Sequence, residues 1–227
     1  MFCTLRRSFL TFALVCLLIA AGFGAEPAVA AVYHVTSSIS LQLGSATMTV
    51  NGFSFPVDAG NPKVTPVVVA AWDRVVVPIR NIVEMTGGTV TWNAATRVTR
   101  LVLGSDTVEL TVGRGQARVN KQTIWIDENH AVTPIVLRGR TMIPVRFAAE
   151  SLGGMANWNS QTGTIALTLP KQMIQVTDMA GHTVMVPRRV IRIATLSPIA
   201  TQFVFSIGAQ DQLVVASFGP AVKGKAM

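Results

Sequence analysis

Cysteine is almost missing from this 227-residue chain: the two present, Cys3 and Cys16, both fall within the first 30 residues. Everything after residue 30 can form no disulfide and offers no thiolate to a metal or an electrophile, so its stability must come from core burial. Tyrosine occurs once, as Tyr33, and histidine three times, as His34, His130 and His182. Histidines this far apart lack metal-ligand spacing. There is no recognisable Ser-His-Asp set, catalytic carboxylate pair or phosphate-cradling glycine loop, and Gly113-Arg114-Gly115 is too short for a dinucleotide fingerprint. We therefore expect no catalytic residue, no metal and no cofactor. What is abundant is apolar: 50% of residues are hydrophobic, which fits a packed core rather than a disordered chain.

Part of that apolar content is a leader. Arg6 and Arg7 precede an apolar stretch from Phe9 to Ala21, which Gly22, Gly24 and Pro27 then break. The stretch is short for a membrane span, which takes about 20 residues. Ala28-Val29-Ala30 fits the small-x-small cleavage rule. Residues 1–30 are read as a secretory signal peptide cut between Ala30 and Ala31, with an uncleaved anchor as the alternative. Cys16 lies inside the apolar stretch and lacks the leucine three residues upstream that a lipid-attachment box carries. The expected location is extracytoplasmic: secreted, at the cell surface or in the periplasm.

Without Arg6, Arg7 and Glu26, the 19 basic and 11 acidic residues become 17 and 10, a net charge of +7. The basic residues are scattered singly apart from Arg188-Arg189, which suits no nucleic-acid surface. Contact with cell-wall polymers or another anionic surface is compatible with this charge, and so is an ordinary solvated surface.

An internal repeat organises the middle of the chain. Leu41-Gln42-Leu43-Gly44 through Val50-Asn51 matches Leu110-Thr111-Val112-Gly113 through Val119-Asn120. Arg74 through Pro78-Ile79-Arg80 matches Arg140 through Pro144-Val145-Arg146. Glu84, Gly87-Gly88 and Trp92-Asn93 match Glu150, Gly153-Gly154 and Trp158-Asn159. Each copy reads as a strand, an apolar strand, a proline at the first helical turn, a short helix, a stopping glycine and a β-hairpin. Ile79, Ile82 and Val83, and likewise Val145, Ala148, Ala149 and Leu152, make one apolar stripe per helix. The expected fold class is α+β, an antiparallel sheet packed on short helices from a duplicated unit. Arg80–Glu84 and Arg146–Glu150 are within i,i+4 reach and read as surface ion pairs. Trp92 and Trp158 offer faces on which sugars could stack, but their apolar strand phase predicts packing between sheet and helix.

The run Arg140-Thr141-Met142-Ile143-Pro144-Val145-Arg146-Phe147-Ala148-Ala149-Glu150-Ser151-Leu152-Gly153-Gly154, followed by Trp158-Asn159, resembles the copper amine oxidase-like N-terminal, or stalk, domain of bacterial surface proteins. The resemblance covers residues 38–170 and implies a spacer or interaction module. The oxidase chemistry itself would require a histidine cluster and a quinone-forming tyrosine, which the three scattered histidines and Tyr33 do not supply.

Pro170-Lys171-Gln172 reads as a short linker. Ile174–Thr177 and Thr183–Val186 then read as a hairpin, Val190–Leu196 as a strand, Ser197-Pro198 as the start of a helix running to about Ile207, and Leu213–Ala216 as a second strand. Strand, helix, strand predicts an incomplete βαβ unit. Residues 173–227 resemble the N-terminal part of a periplasmic binding protein of the ABC-importer type that carries ferric siderophores, haem or cobalamin. That likeness rests on Val176-Thr177-Asp178-Met179-Ala180-Gly181, on Arg192 through Pro198, and on Phe205 through Gly208-Ala209. It departs at Gln202, where the family often has glutamate. It implies a metal-chelate ligand, an ABC permease partner, and a cleft wall formed by Ser197, Pro198, Ser217 and Gly219 beyond the strand ends; Ser197-Pro198 is equally well read as a helix cap alone. A single βαβ unit cannot enclose a ligand, so a fragment or truncated product is expected. The sequence thus points first to a non-catalytic, stalk-bearing substrate-binding component of an importer, and second to a surface protein acting through the stalk alone.

Overall fold

The computed structural model describes residues 35–216. The leader and its cleavage site, together with Ser217 and Gly219, lie outside them. The first repeat supplies β1 (Thr36–Gln42), β2 (Thr47–Val50), β3 (Phe53–Pro56), β4 (Val67–Val69), β5 (Arg74–Pro78), α1 (Ile79–Met85) and the hairpin β6 (Thr89–Asn93) and β7 (Val98–Leu103). The second supplies β8 (Asp106–Thr111), β9 (Gln116–Val119), β10 (Gln122–Trp125), β11 (Ile135–Leu137), β12 (Arg140–Pro144), α2 (Val145–Ser151), β13 (Met155–Asn159) and β14 (Thr164–Pro170). After them come β15 (Met173–Thr177), β16 (Thr183–Pro187), β17 (Ile193–Thr195), α3 (Pro198–Ser206) and β18 (Leu213–Ala216). Antiparallel sheet dominates and the helices are short, an α+β architecture.

The hairpins do not stay with their own repeat. One five-stranded sheet runs β13-β14-β1-β2-β3 and the other β10-β9-β8-β7-β6. The hairpin after α1 therefore pairs with β8 of the following repeat, while the hairpin after α2 returns to β1, from Thr36 opposite Pro170 to Gln42 opposite Thr164. A third, four-stranded sheet runs β11-β12-β5-β4 and joins the two repeats where Ile143 sits opposite Val77. Val75-Val76-Val77 is continuously apolar because this sheet is covered on both sides. Val77 and Ile143 enter the main core, whereas Val76 and Met142 enter a smaller one with Val64, flanked by Trp72.

Both helical stripes enter that single main core. Ile79, Ile82 and Val83 join Val145, Ala148, Ala149 and Leu152 there, together with Ile39, Leu41, Leu101, Leu110, Ile165 and Leu167. Pro78 and Pro144 differ from the expected place inside the first helical turn. Each is the last strand residue and caps the helix that follows, with extended ψ values of 98° and 115°. The pairings Pro78↔Met142 and Pro144↔Val76 carry the strands onto the prolines, and a proline φ serves strand end and helix entry alike. The hairpin turns use Asn51 and Asn120, whose left-handed φ values of 51° and 48° asparagine tolerates. Their Oδ1 atoms accept hydrogen bonds from the Ser38 and Thr107 amides at 2.9 and 2.8 Å.

The segment read as a linker is tied down. The Lys171 amide donates to the Val35 carbonyl at 2.7 Å and the Gln172 amide to the Thr86 carbonyl at 2.9 Å. Arg192 lies 3.4 Å above the Phe53 ring. The strand expected over residues 190–196 is shorter than that, Ile193–Thr195, and pairs in parallel with β18, the chain passing through α3 between them.

Candidate functional site

Ser197 caps α3 through its Oγ, which accepts a hydrogen bond from the Ala200 amide at 3.2 Å, and Pro198 is the first helical residue. Both are exposed. The capping half of the expectation for these two residues is met locally, and the clefts described next lie elsewhere in the fold.

Two reciprocal ion pairs lock the repeats together. Arg140 on β12 holds Asp58 with Nε–Oδ2 at 2.5 Å and Nη2–Oδ1 at 3.2 Å. Arg74 on β5 holds Asp127 with Nε–Oδ2 at 2.7 Å and Nη2–Oδ1 at 3.1 Å. Each is the two-pronged fork that guanidinium and carboxylate geometry favours. Sequence reasoning noted both arginines and missed both partners. The signal was there: Asp58 and Asp127 stand 69 residues apart, as do Leu41 and Leu110. The hydrogen bonds from Arg140 hold the Asp58 carboxyl below the usual carboxylate range, against the opposing effect of burial and with help from the Gly60 amide. Arg74 does the same to Asp127, and the charge of Arg146 adds to it.

A pH dependence follows. A carboxyl whose folded pKa lies below its unfolded value of about 3.9 stabilises fully above that value, and the contribution is lost as pH falls through the folded pKa. The melting temperature is expected to hold from pH 7 to about 5 and to fall in acid. Asp58→Asn should cost about 1–2 kcal/mol at neutral pH, since the pair is only partly buried and solvent screens the Arg140 end, and should make the acid limb shallower. Calorimetric melting of wild type and variant between pH 2 and 7 checks this; identical acid limbs would remove the clamp from the account.

Each clamp borders a cleft. The first, about 610 Å³, lies between α1 and the β6–β7 hairpin and is lined by Arg80, Asn81, Glu84, Trp92 and Thr99 beside the Asp58–Arg140 pair. The second, about 270 Å³, lies between α2 and the β13–β14 hairpin, with Arg146, Phe147, Glu150, Trp158 and Ile165 beside Arg74–Asp127. Arg80 Nη1 stands 3.9 Å from one Glu84 oxygen, and Arg189 Nη1 3.9 Å from the other. The tryptophans part company. Trp158 packs against the main core as expected. Trp92 does not: β6 and β13 are both edge strands, yet Trp92 is 39% exposed, because Asn81 stands where Phe147 fills the second cleft and the wider first cleft leaves the indole ring uncovered.

The fold is thus a small, sheet-rich body with concave faces between helix and hairpin. The model of the copper amine oxidase N-terminal domain matches residues 58–167 and again 128–186, together more than half of the chain. The chain belongs to that family, whose domain is non-catalytic in the copper amine oxidases. Neither the curated proteins nor the solved structures contain a match to it. The family name raises the question of copper. Among the described residues no three of His, Cys, Asp and Glu gather as ligands. His130 stacks on Trp125 with ring centres 3.6 Å apart, and His182 Nδ1 is 3.1 Å from Asp178 Oδ2. These residues do not fit a copper centre.

Proposed function

We propose that the protein is an extracytoplasmic, non-catalytic binding protein. In this reading residues 38–170 are a stalk built from a duplicated unit. Residues 173–227 open the substrate-binding domain of an ABC importer component for a metal chelate: a ferric siderophore, haem or cobalamin. The observation that carries the importer reading is the parallel pairing of β17 with β18 across the Ser197-capped helix α3, the arrangement a βαβ unit requires. Ser197, Pro198, Ser217 and Gly219 would then stand at the carboxyl ends of parallel strands, where open α/β sheets bind ligands. A second reading, a surface module acting through the stalk alone, is favoured by the wide cleft beside Trp92.

Two experiments test these readings. Reading the DNA beyond codon 227 is expected to show in-frame continuation into a further α/β lobe; an immediate stop followed by an unrelated gene leaves only the stalk. Mass spectrometry of the exported product is expected to find Ala31 as its first residue, and a product still starting at Met1 would remove the cleaved-leader reading.

A further inference from the structure

The two clefts differ where their shared framework does not require it. Both have an Arg–Asp clamp, a helix carrying an arginine and a glutamate, and a hairpin carrying a tryptophan. In the second, Phe147 and Ile165 are buried and fill the space. In the first, the places 66 residues earlier hold Asn81 and Thr99. Thr99 is 3% exposed, and its Oγ1 has no hydrogen-bond partner among the described residues. A buried hydroxyl without a partner opposes folding, and the apolar alternative is present in the same molecule at Ile165. Thr99 therefore serves something other than stability, whereas Asn81 also ties α1 to β3 through its hydrogen bond to the Pro56 carbonyl.

We propose that the first cleft binds a neutral saccharide, with Trp92 as the stacking face and Thr99 and Asn81 as hydroxyl partners. Trp92 and Thr99 are directly opposite on β6 and β7, so their side chains are neighbours on one face of the hairpin. The electron-rich indole face attracts the C–H groups of a sugar ring, and the ring's rim of hydroxyls meets the threonine. Thr99 Oγ1 both donates and accepts. The Asn81 amide nitrogen is engaged by the Pro56 carbonyl at 2.7 Å, which leaves its Oδ1 to accept. The charged groups at the wall already have partners, Asp58 with Arg140 and Glu84 with Arg80 and Arg189, so an ionic ligand would have to displace an existing pair. A purely apolar ligand would leave Thr99 unanswered. The volume of about 610 Å³ lies within the usual range for small-molecule sites, roughly 300–1,000 Å³, and the second cleft falls below it. The inference goes beyond the reading above and is independent of what residues 173–227 serve.

The test is calorimetric titration of the full chain with neutral tetramers of β-1,4-linked N-acetylglucosamine and of β-1,4-linked glucose. One tetramer is expected to saturate a single site. Trp92→Ala and the near-isosteric Thr99→Val should each weaken it about tenfold or more, as loss of one good contact implies. Asn81→Phe with Thr99→Ile, which installs the second cleft's residues, should abolish binding while the melting temperature holds. Trp158→Ala should leave affinity unchanged. The proposal is overturned if neither tetramer binds, if the folded double variant binds like wild type, or if Trp158→Ala weakens binding as much as Trp92→Ala. Sedimentation with the insoluble polymer of the sugar that binds separates two supporting outcomes: co-sedimentation marks a polymeric glycan, and its absence marks a free oligosaccharide.

Discussion

Cut after Leu103, the chain is expected not to fold, even though it then keeps every element of the first repeat. The cut removes β14, which pairs with β1 along seven residues, and β8, which pairs with β7 along six. Ile39, Leu41, Leu101 and Leu103 would lose their partners from the second repeat in the shared core, Leu110, Ile165 and Leu167 among them. Full burial of a single large apolar side chain is worth about 1.5–3 kcal/mol, against a total stability of about 5–15 kcal/mol for an ordinary domain. Losing that many at once leaves nothing to offset chain entropy. The Arg140 partner of Asp58 goes as well. The fragment should show a disordered far-UV spectrum and collapsed amide dispersion by NMR. Adding residues 104–227 should restore both, because the break falls in the short turn at Gly104-Ser105. A cooperative melt from the fragment alone would show that the exchanged hairpins are dispensable.

Gly154→Ala and Gly88→Ala are the point substitutions expected to do most damage. A Cβ at residue 154 would stand 2.3 Å from the Thr168 carbonyl oxygen and 2.7 Å from Leu169 Cδ2. At residue 88 it would stand 2.5 Å from the Val102 carbonyl oxygen and 2.6 Å from Val83 Cγ1. Both obstacles include backbone in a paired strand, which cannot move aside without breaking its ladder. The expected loss is about 3 kcal/mol or more for each, or some 6–12 °C in melting temperature for a chain of this size. The glycines just before them have a different task. Gly153 takes a φ of 73° to end α2, and its nearest neighbour to an added Cβ is 3.6 Å away. Gly153→Ala should therefore cost only the left-handed backbone penalty, about 1–2 kcal/mol. Paired thermal melts decide between these roles: if Gly154→Ala costs no more than Gly153→Ala, close approach is not why the second glycine is there.

That pair of glycines shows how far local reasoning reaches. The helix-ending role of Gly87 and Gly153 is legible because it depends on φ at one residue. The role of Gly88 and Gly154 depends on a strand that arrives some 14 residues later in the chain and is invisible to a local pattern. Asp58 and Asp127 are an intermediate case: the repeat alignment places them, but only the fold brings each to the other copy's arginine. Trp92 went the other way. Its strand phase promised burial like that of Trp158, and the promise failed because Asn81 stands where Phe147 fills the matching space.

What the sequence by itself determined was the identity of the elements and the faces they bury, because hydrophobic period and turn chemistry act over a few residues. What only the tertiary structure decided was partnership: which hairpin completes which sheet, which aspartate meets which arginine, and which of two similar clefts stays open. Backbone ladders bond the same way whatever the side chains are. Repeats that share one order of strands, helix and turns also present similar backbone edges, so the choice between them rests on long-range packing in the shared core.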